Sequence, residues 1–366
     1  MKEQIGTAII GPGKVAHTHA QILASLPQSR FVAVSGRNAE RTGAFAAQYG
    51  VQPYTDLPTM LQDQAVELVI VCTPHPQHAE QAIMAAEAGV HVLIEKPMAI
   101  TAVECGQMIA AARKSGVKLG VISQRRLYPS AQRVRAAIDN GKIGHPILGT
   151  LTLLGWRSPE YYTMDAWRGT WQGEGGGVLV NQAVHQLDLF QWLMGPIAEV
   201  SGYVANLNHP SIEVEDTAVA VVRCHSGALG AIVASNSQNP GLYGNVHVHG
   251  SNGASIGVQT DGGSMFISGV TTAVEPPIND LWTVPGEAEL LAAWQAEDRA
   301  LAAKIDIMSH YHRLQIEDFL DAVIADRPPL VPGTEGRNAV ELFEAIYRSQ
   351  REQGPIRLPL GGAGDA

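Results

Sequence analysis

Two stretches of the chain carry side chains able to do chemistry. "GGGVLVNQAVHQLD", residues 175–188, follows three glycines with an apolar run that keeps Asn181, His185 and Asp188. Read as one helix over 178–194, these three fall on one stripe with Trp192, while Val180, Val184, Leu187 and Met194 define another. One face packs in a core and the other lines a cleft. An imidazole there can take and return a proton near neutral pH. A histidine alone on an apolar face is ordinarily a satisfied core residue; the grouping is what marks His185 as a site candidate. The second stretch, "HVLIEKPMAI", leaves an apolar strand on Glu95-Lys96-Pro97. Pro97 restricts Lys96 to an extended backbone, and an ammonium so placed can stabilise charge on a nearby oxygen.

A third signal indicates what these groups act beside. "AIIGPGKVAHTHA" sets Gly11-Pro12-Gly13-Lys14-Val15-Ala16 between a strand and a helix, a GxGxxA pattern in the context that binds dinucleotides. Gly11 permits the tight turn, Gly13 lets the backbone approach a pyrophosphate, Ala16 allows close packing, and the helix N-terminus attracts the anion. The second strand, "FVAVSGRN", ends on Ser35-Gly36-Arg37 where a carboxylate would select NAD. A hydroxyl and a guanidinium suit a 2'-phosphate, so the expectation is NAD or NADP with a lean to NADP. Thr73, Pro74 and His78 in "VCTPHPQHAE" and the Glu95-Lys96 pair lie at carboxyl ends of strands, where such sheets bind ligands. His75 and His78 have no third ligand at suitable spacing, so no metal is expected.

The elements that must position these residues divide the chain in two. "TAII", "FVAVSG", "VELVIVC", "HVLIEKP" and "VKLGVIS" alternate with helical stretches, which implies a doubly wound parallel sheet over residues 1–123. From about Gly149 the runs lengthen and alternate: "LGTLTLLGW", "AEVSGYVAN", "DTAVAVVRC", "GALGAIVAS", "NVHVHGSNGASIGVQ" and "SMFISG". That texture predicts a large, mostly antiparallel sheet in an α+β domain over 124–366, flanked by helices at 178–194, 287–325 and 338–353. A chain of 366 residues exceeds what one core usually fills.

Composition narrows the partners. With 25 basic against 35 acidic residues the formal charge is -10, which repels nucleic acid and anionic membrane. Cys72, Cys105 and Cys224 form no CxxC pair, so neither disulfides nor structural zinc are expected. No signal h-region and no apolar run of about 18 to 20 residues is evident, and the expectation is a soluble cytoplasmic protein with a small-molecule partner.

GxGxxA at residue 11, "EKP" at 95–97, "WRG" at 167–169, "GGGVLVNQAVHQLDL" at 175–189, "EDTAVAVVR" at 215–223 and "GTEGRNAVELFEAIYRS" near the end together resemble the Gfo/Idh/MocA oxidoreductases over nearly the whole chain. The resemblance implies a Rossmann domain, an open-faced sheet that supports homodimers or homotetramers, and hydroxyl–ketone interconversion on sugars, anhydrosugars or cyclitols. It also implies that Lys96 is the catalytic lysine and that the helix of His185 supplies the acid/base group. Many members have Asp where this chain has Asn181, and an amide can orient a ring but cannot accept its proton. Arg126, Tyr128, Trp156, Tyr161, Trp167, Arg168 and Asp188 come from segments expected to face the same cleft, where aromatic faces and polar groups suit a sugar ring. Two other readings fit the same residues: a glycoside hydrolase that oxidises and re-reduces its substrate on a retained cofactor, and a cofactor-sensing regulator without chemistry.

Overall fold

The computed structural model describes residues 4–242, 244–260 and 276–361, in two compact units. The first gathers the chain up to Gln124 with the segment Met308–Arg337; the second holds Arg125–Ile307 and Asn338–Gly361.

In the first unit β1 (Ile5–Ile10), β2 (Ser29–Ser35), β3 (Gln52–Tyr54), β4 (Leu68–Val71), β5 (His91–Ile94) and β6 (Leu119–Val121) form one sheet in the order β3-β2-β1-β4-β5-β6. Every pairing is parallel. This is the doubly wound order whose direction reverses between β1 and β4, and a crevice for a dinucleotide lies outside the carboxyl ends there. The central strands read as nearly continuous apolar runs because both faces are covered: β1 and β4 are buried at every position.

The segment 308–337, assigned from the sequence to the second domain, belongs to this unit. Phe319, on the helix Ile307–Ile324, lies against Gly120, where a Cβ would come within 2.6 Å of its ring. Gln315 on the same helix donates to the Val121 carbonyl at 2.7 Å and accepts from the Ser123 amide at 2.8 Å. These contacts join residues nearly two hundred positions apart, which periodicity does not report.

The second unit carries β7 (Pro146–Leu154), β8 (Ile197–Ala205), β9 (Thr217–Cys224), β10 (Leu229–Ser235), β11 (Asn245–Gly250), β12 (Ser255–Gln259), β13 (Ile278–Trp282) and β14 (Ile356–Arg357) in the order β13-β12-β11-β7-β10-β9-β8-β14. Only the β7–β10 pair is parallel. Burial alternates along β9, so one face is covered and the other open. Phe190 and Met194, on the helix Val184–Met194, pack on the covered face where Gly149 leaves room for them. The open face shows Tyr203, Val219 and Val221, with Tyr203 77% exposed.

Three helical expectations are corrected. The stretch 287–325 is two helices, Leu290–Ala302 and Ile307–Ile324, and the C-terminal helix spans Gly333–Glu352. The stretch 178–194 breaks into Val178–Asn181 and Val184–Met194, because the Gln182 and Ala183 amides both turn back to the Val178 carbonyl. The strand expected at "SMFISG" lies outside the described residues. No helix among the described residues is long and apolar enough to cross a membrane.

Candidate active site

The first unit builds an anion cradle at the end of β1. Gly11 has φ +94°, and a Cβ there would meet Thr73 and the Cys72 backbone within 3.1 Å, so the turn requires glycine. Its amide donates to the Ser35 carbonyl at 2.8 Å, tying the loop to the end of β2. Gly13 precedes the helix Lys14–Ser25, whose start no side chain caps. A Cβ on Gly13 would meet only the Cys72 carbonyl at 3.7 Å and an Arg41 nitrogen at 4.0 Å. The backbone is open on that side, as an approaching pyrophosphate needs, and the helix start offers amide donors. Lys14 and Arg37 are exposed beside it, Val15 is half-buried, and Pro12 lends its carbonyl to Arg41 Nε at 2.8 Å. Arg41 was not singled out from the sequence; it lies one turn into the next helix, just beyond the expected Arg37.

The "EKP" turn is held from beneath by histidines. Glu95 is buried and its Oε1 lies 2.6 Å from His19 Nε2 and 3.9 Å from His312 Nε2. Burial alone would push this carboxyl up, but the His19 hydrogen bond and the charges of His19, His312 and Lys96 outweigh it and hold it at about 2. Burial pushes His312 down to about 4 despite the opposing pull of Glu95. The other Glu95 oxygen accepts from the Lys96 amide at 3.1 Å. His78 is buried too: its ring nitrogens lie 2.8 Å from the Pro97 carbonyl and 2.9 Å from that of Thr73, tying the end of β4 to the "EKP" turn. Of the residues expected near the cofactor, Glu95 and His78 are buried and hydrogen-bonded within the unit, while Lys96, Thr73 and Pro74 stay half-exposed at the sheet edge. With both nitrogens of His78 engaged, the His75–His78 pair has no free ligand set. His19, Glu95 and His312 do place one donor atom each within 4.8 Å, yet the His19–Glu95 separation is that of a hydrogen bond.

In the second unit the triple glycine brings a helix start onto another buried carboxylate. A Cβ on Gly177 would fall 1.8 Å from the Glu215 carbonyl. That approach lets Glu215 accept from the amides of Gly177 at 2.9 Å and Leu179 at 3.0 Å, and from the Tyr347 hydroxyl at 2.8 Å. Asn181, Gln182 and His185 are the half-exposed residues of the otherwise buried run 178–191.

Two clusters collect the expected substrate groups of this unit. The buried Tyr161 hydroxyl receives Arg168 Nη1, Asn181 Nδ2 at 3.1 Å and Gln182 Nε2 at 3.2 Å. The Arg168 guanidinium sits 4.3 Å from the Tyr161 ring centre and 4.4 Å from that of Trp167. Burial pushes the Tyr161 hydroxyl up, and the Arg168 charge opposes it. Asn181 also donates to the buried Glu174. Arg126 and Asp188 instead satisfy one another, through Nε–Oδ2 at 2.9 Å and Nη2–Oδ1 at 2.7 Å, buried against Trp192. That bidentate pair ties residues 62 apart and makes Asp188 a structural partner within this unit. Tyr128 is buried before the helix Pro129–Asp139, and Trp156 packs beside His209 with ring centres 6.0 Å apart.

Comparison with known proteins agrees with both units. Residues 5–123 match the oxidoreductase family with an NAD-binding Rossmann fold, and residues 131–256 match the GFO/IDH/MocA C-terminal domain. The uncharacterized oxidoreductase YrbE of Bacillus subtilis is 31% identical over 259 residues, 69% of this chain and 74% of that protein. The chain belongs to the GFO/IDH/MocA family. It is an NAD(P)-dependent oxidoreductase, and its first unit is an NAD-binding domain. The myo-inositol 2-dehydrogenase of Thermotoga maritima is 26% identical over 358 residues, 96% of this chain and 97% of that one. The WlbA dehydrogenase of Bordetella pertussis, solved with NADH and UDP-GlcNAcA, superposes with a TM-score of 0.83 at 29% identity, covering 98% of this chain and 100% of that one.

In this GFO/IDH/MocA member the sequence located both glycine turns and the lysine but missed the groups behind them. His19 had a signal, a polar residue on the helix face shared with Ala16, Ala20 and Leu23. Glu174, set directly before the three glycines, had one as well.

Proposed function

We propose that this enzyme interconverts a secondary hydroxyl and a ketone on a cyclic polyol, of the sugar, anhydrosugar or cyclitol class, with Lys96 and His185 as the reacting groups. The observation that carries the reading is that family membership coincides with exposure. Within the tightly buried ends of β5 and the run 178–191, Lys96 and His185 are among the few side chains left half-exposed. The bound nicotinamide supplies hydride exchange. Lys96 polarises the substrate oxygen and stabilises developing alkoxide charge; His185 removes the hydroxyl proton in oxidation and returns it in reduction. Trp167, Arg168 and Asn181, half-exposed over the buried Tyr161, offer an aromatic and polar surface for the ring. The class is supported by a relative named for myo-inositol and by a neighbour solved with UDP-GlcNAcA.

Arg37 and Arg41 beside the Ser35 turn support acceptance of NADP as well as NAD, since neither offers the carboxylate that repels a 2'-phosphate. The apolar open face of the second unit, with Tyr203 paired to Val219 across strands, supports a homodimer or homotetramer built on that sheet. A panel of sugars, cyclitols and anhydrosugars with NAD and NADP separately tests the reaction. His185→Ala should lower kcat by about 10²- to 10⁴-fold and Lys96→Ala by about 10²- to 10³-fold, with cofactor affinity kept. Full activity in either variant removes that residue from the mechanism. Sugar release from an aryl glycoside without net nicotinamide change would point to the hydrolase reading.

A further inference from the structure

Position 181 holds an amide where the family resemblance leads one to expect a carboxylate, yet a carboxylate stands one hydrogen bond behind it. We propose that Glu174 is a positioning residue: it holds the Asn181 side chain in one of its two amide orientations, so that the Glu174–Asn181 pair replaces the single acid. This rests on the reading that Asn181 and His185 serve the reaction.

Glu174 closes the short helix Trp171–Glu174 and is 1% exposed. One oxygen accepts from the Gly169 amide at 2.7 Å, and the other accepts from Asn181 Nδ2. An ionised carboxylate offers acceptors only, so the NH2 edge of the amide has to face it. The Tyr161 hydroxyl takes a second contact from the same Nδ2 at 3.1 Å. Both protons of that NH2 group are thereby engaged on one side, and Oδ1 is presented on the other as a pure acceptor. The neighbouring amide is oriented in the same way. Asn236 Nδ2 donates to Gln182 Oε1 at 2.9 Å, which leaves Gln182 Nε2 to reach Tyr161 at 3.2 Å. An acceptor is what a substrate hydroxyl or an imidazole N–H requires. A flipped amide would present a donor and set its carbonyl against a carboxylate, an arrangement that costs a buried hydrogen bond and adds repulsion.

Swapping the two groups tests this. Glutamine at 174 can present either edge, so Glu174→Gln frees Asn181 to flip, and kcat should fall about a hundred-fold, as expected for a small misplacement of reacting groups. Cofactor affinity should stay unchanged. Asn181→Asp sets two carboxylates face to face and should lose a comparable factor. The double variant restores one carboxylate and one amide and should recover at least about tenfold over either single change, a coupling that groups in direct contact can show. A merely structural Glu174 predicts instead that the two losses multiply. Multiplying losses, or wild-type kcat in Glu174→Gln, overturn the proposal. Should Glu174→Gln alone fail to fold, the double variant decides: folded and active supports the pairing, folded and inactive refutes it. His185→Ala separates the two claims. If it turns over like the wild type, the underlying mechanism fails; if it is dead while Glu174→Gln is indifferent, only the positioning role fails.

Discussion

Each unit buries a glutamate beneath a turn, Glu95 at the "EKP" turn and Glu215 at the triple glycine, and these two glutamates end in opposite states. Glu95 is held at about 2 and Glu215 is pushed up to about 7. Both are desolvated, and both accept hydrogen bonds, so neither burial nor bond count separates them. The charge of the donors does. Glu95 faces imidazoles and the Lys96 ammonium, whereas Glu215 faces two backbone amides and a phenol. Neutral dipoles lower a carboxyl, but here they do not repay its loss of water. The "EKP" turn is accordingly pinned by a fixed charge, and the glycine turn by an acid close to half-protonated at neutral pH.

The largest expected effect tests the fixed charge. His19→Leu leaves the Glu95 carboxylate buried without its 2.6 Å partner. Breaking a buried pair on one side typically costs about 3 to 5 kcal/mol, read as a lower denaturant midpoint at pH 7. Turnover should fall as well, because the Lys96 amide hangs on the same carboxylate. A midpoint unchanged from wild type would mean that the His19 hydrogen bond does not hold Glu95 and that the two glutamates differ for another reason.

The second expected effect uses pH, and the two sites predict opposite slopes. The raised pKa of Glu215 means that the folded state holds its proton longer than the unfolded chain. Its stabilisation is present below the ordinary value of 4.5 and is lost as pH rises towards about 7. The depressed pKa of Glu95 stabilises above 4.5 and is lost as pH falls towards about 2, joined by His312 between 6.5 and about 4. A shift of this size corresponds to about 3 kcal/mol. Glu215→Gln should remove the rising-pH loss between 4.5 and 7 while leaving the acid limb intact. If it also abolishes the acid limb, the assignment of the two limbs is wrong.

What the sequence disclosed follows the same division between local and distant causes. Strand alternation and the GxGxxA loop are local, so the parallel sheet and the anion cradle could be read from "AIIGPGKVA" and its spacing. The long alternating runs likewise announced the mostly antiparallel sheet. The return of residues 308–337 could not be read, since Gln315 finds its partners at Val121 and Ser123 far along the chain. Nor could the pairing of Arg126 with Asp188, which turned an expected substrate contact into a tie within the unit. The helix from 178 to 194 failed for a local reason that composition hides. No proline or glycine breaks it, but the Ala183 amide reaches back five residues to Val178.

The smallest expected effect asks whether contact distance or exclusion of water makes the His19–Glu95 pair matter. Lys142 Nζ lies 2.5 Å from Glu287 Oε1, as close as His19 to Glu95, but its side chain is 38% exposed. The Lys142 hydrogen bond lowers the Glu287 pKa, as an ion pair should. In water that attraction is screened and is offset by the entropy of fixing two long side chains, so exposed pairs contribute no more than about 1 kcal/mol. Lys142→Ala should therefore move the denaturant midpoint little, and the difference should shrink further at about 1 M salt, where the screening length falls to about 3 Å. A loss equal to that of His19→Leu would show that short contacts stabilise this protein wherever they lie, and the contrast between a pinned and a half-protonated glutamate would lose its cause.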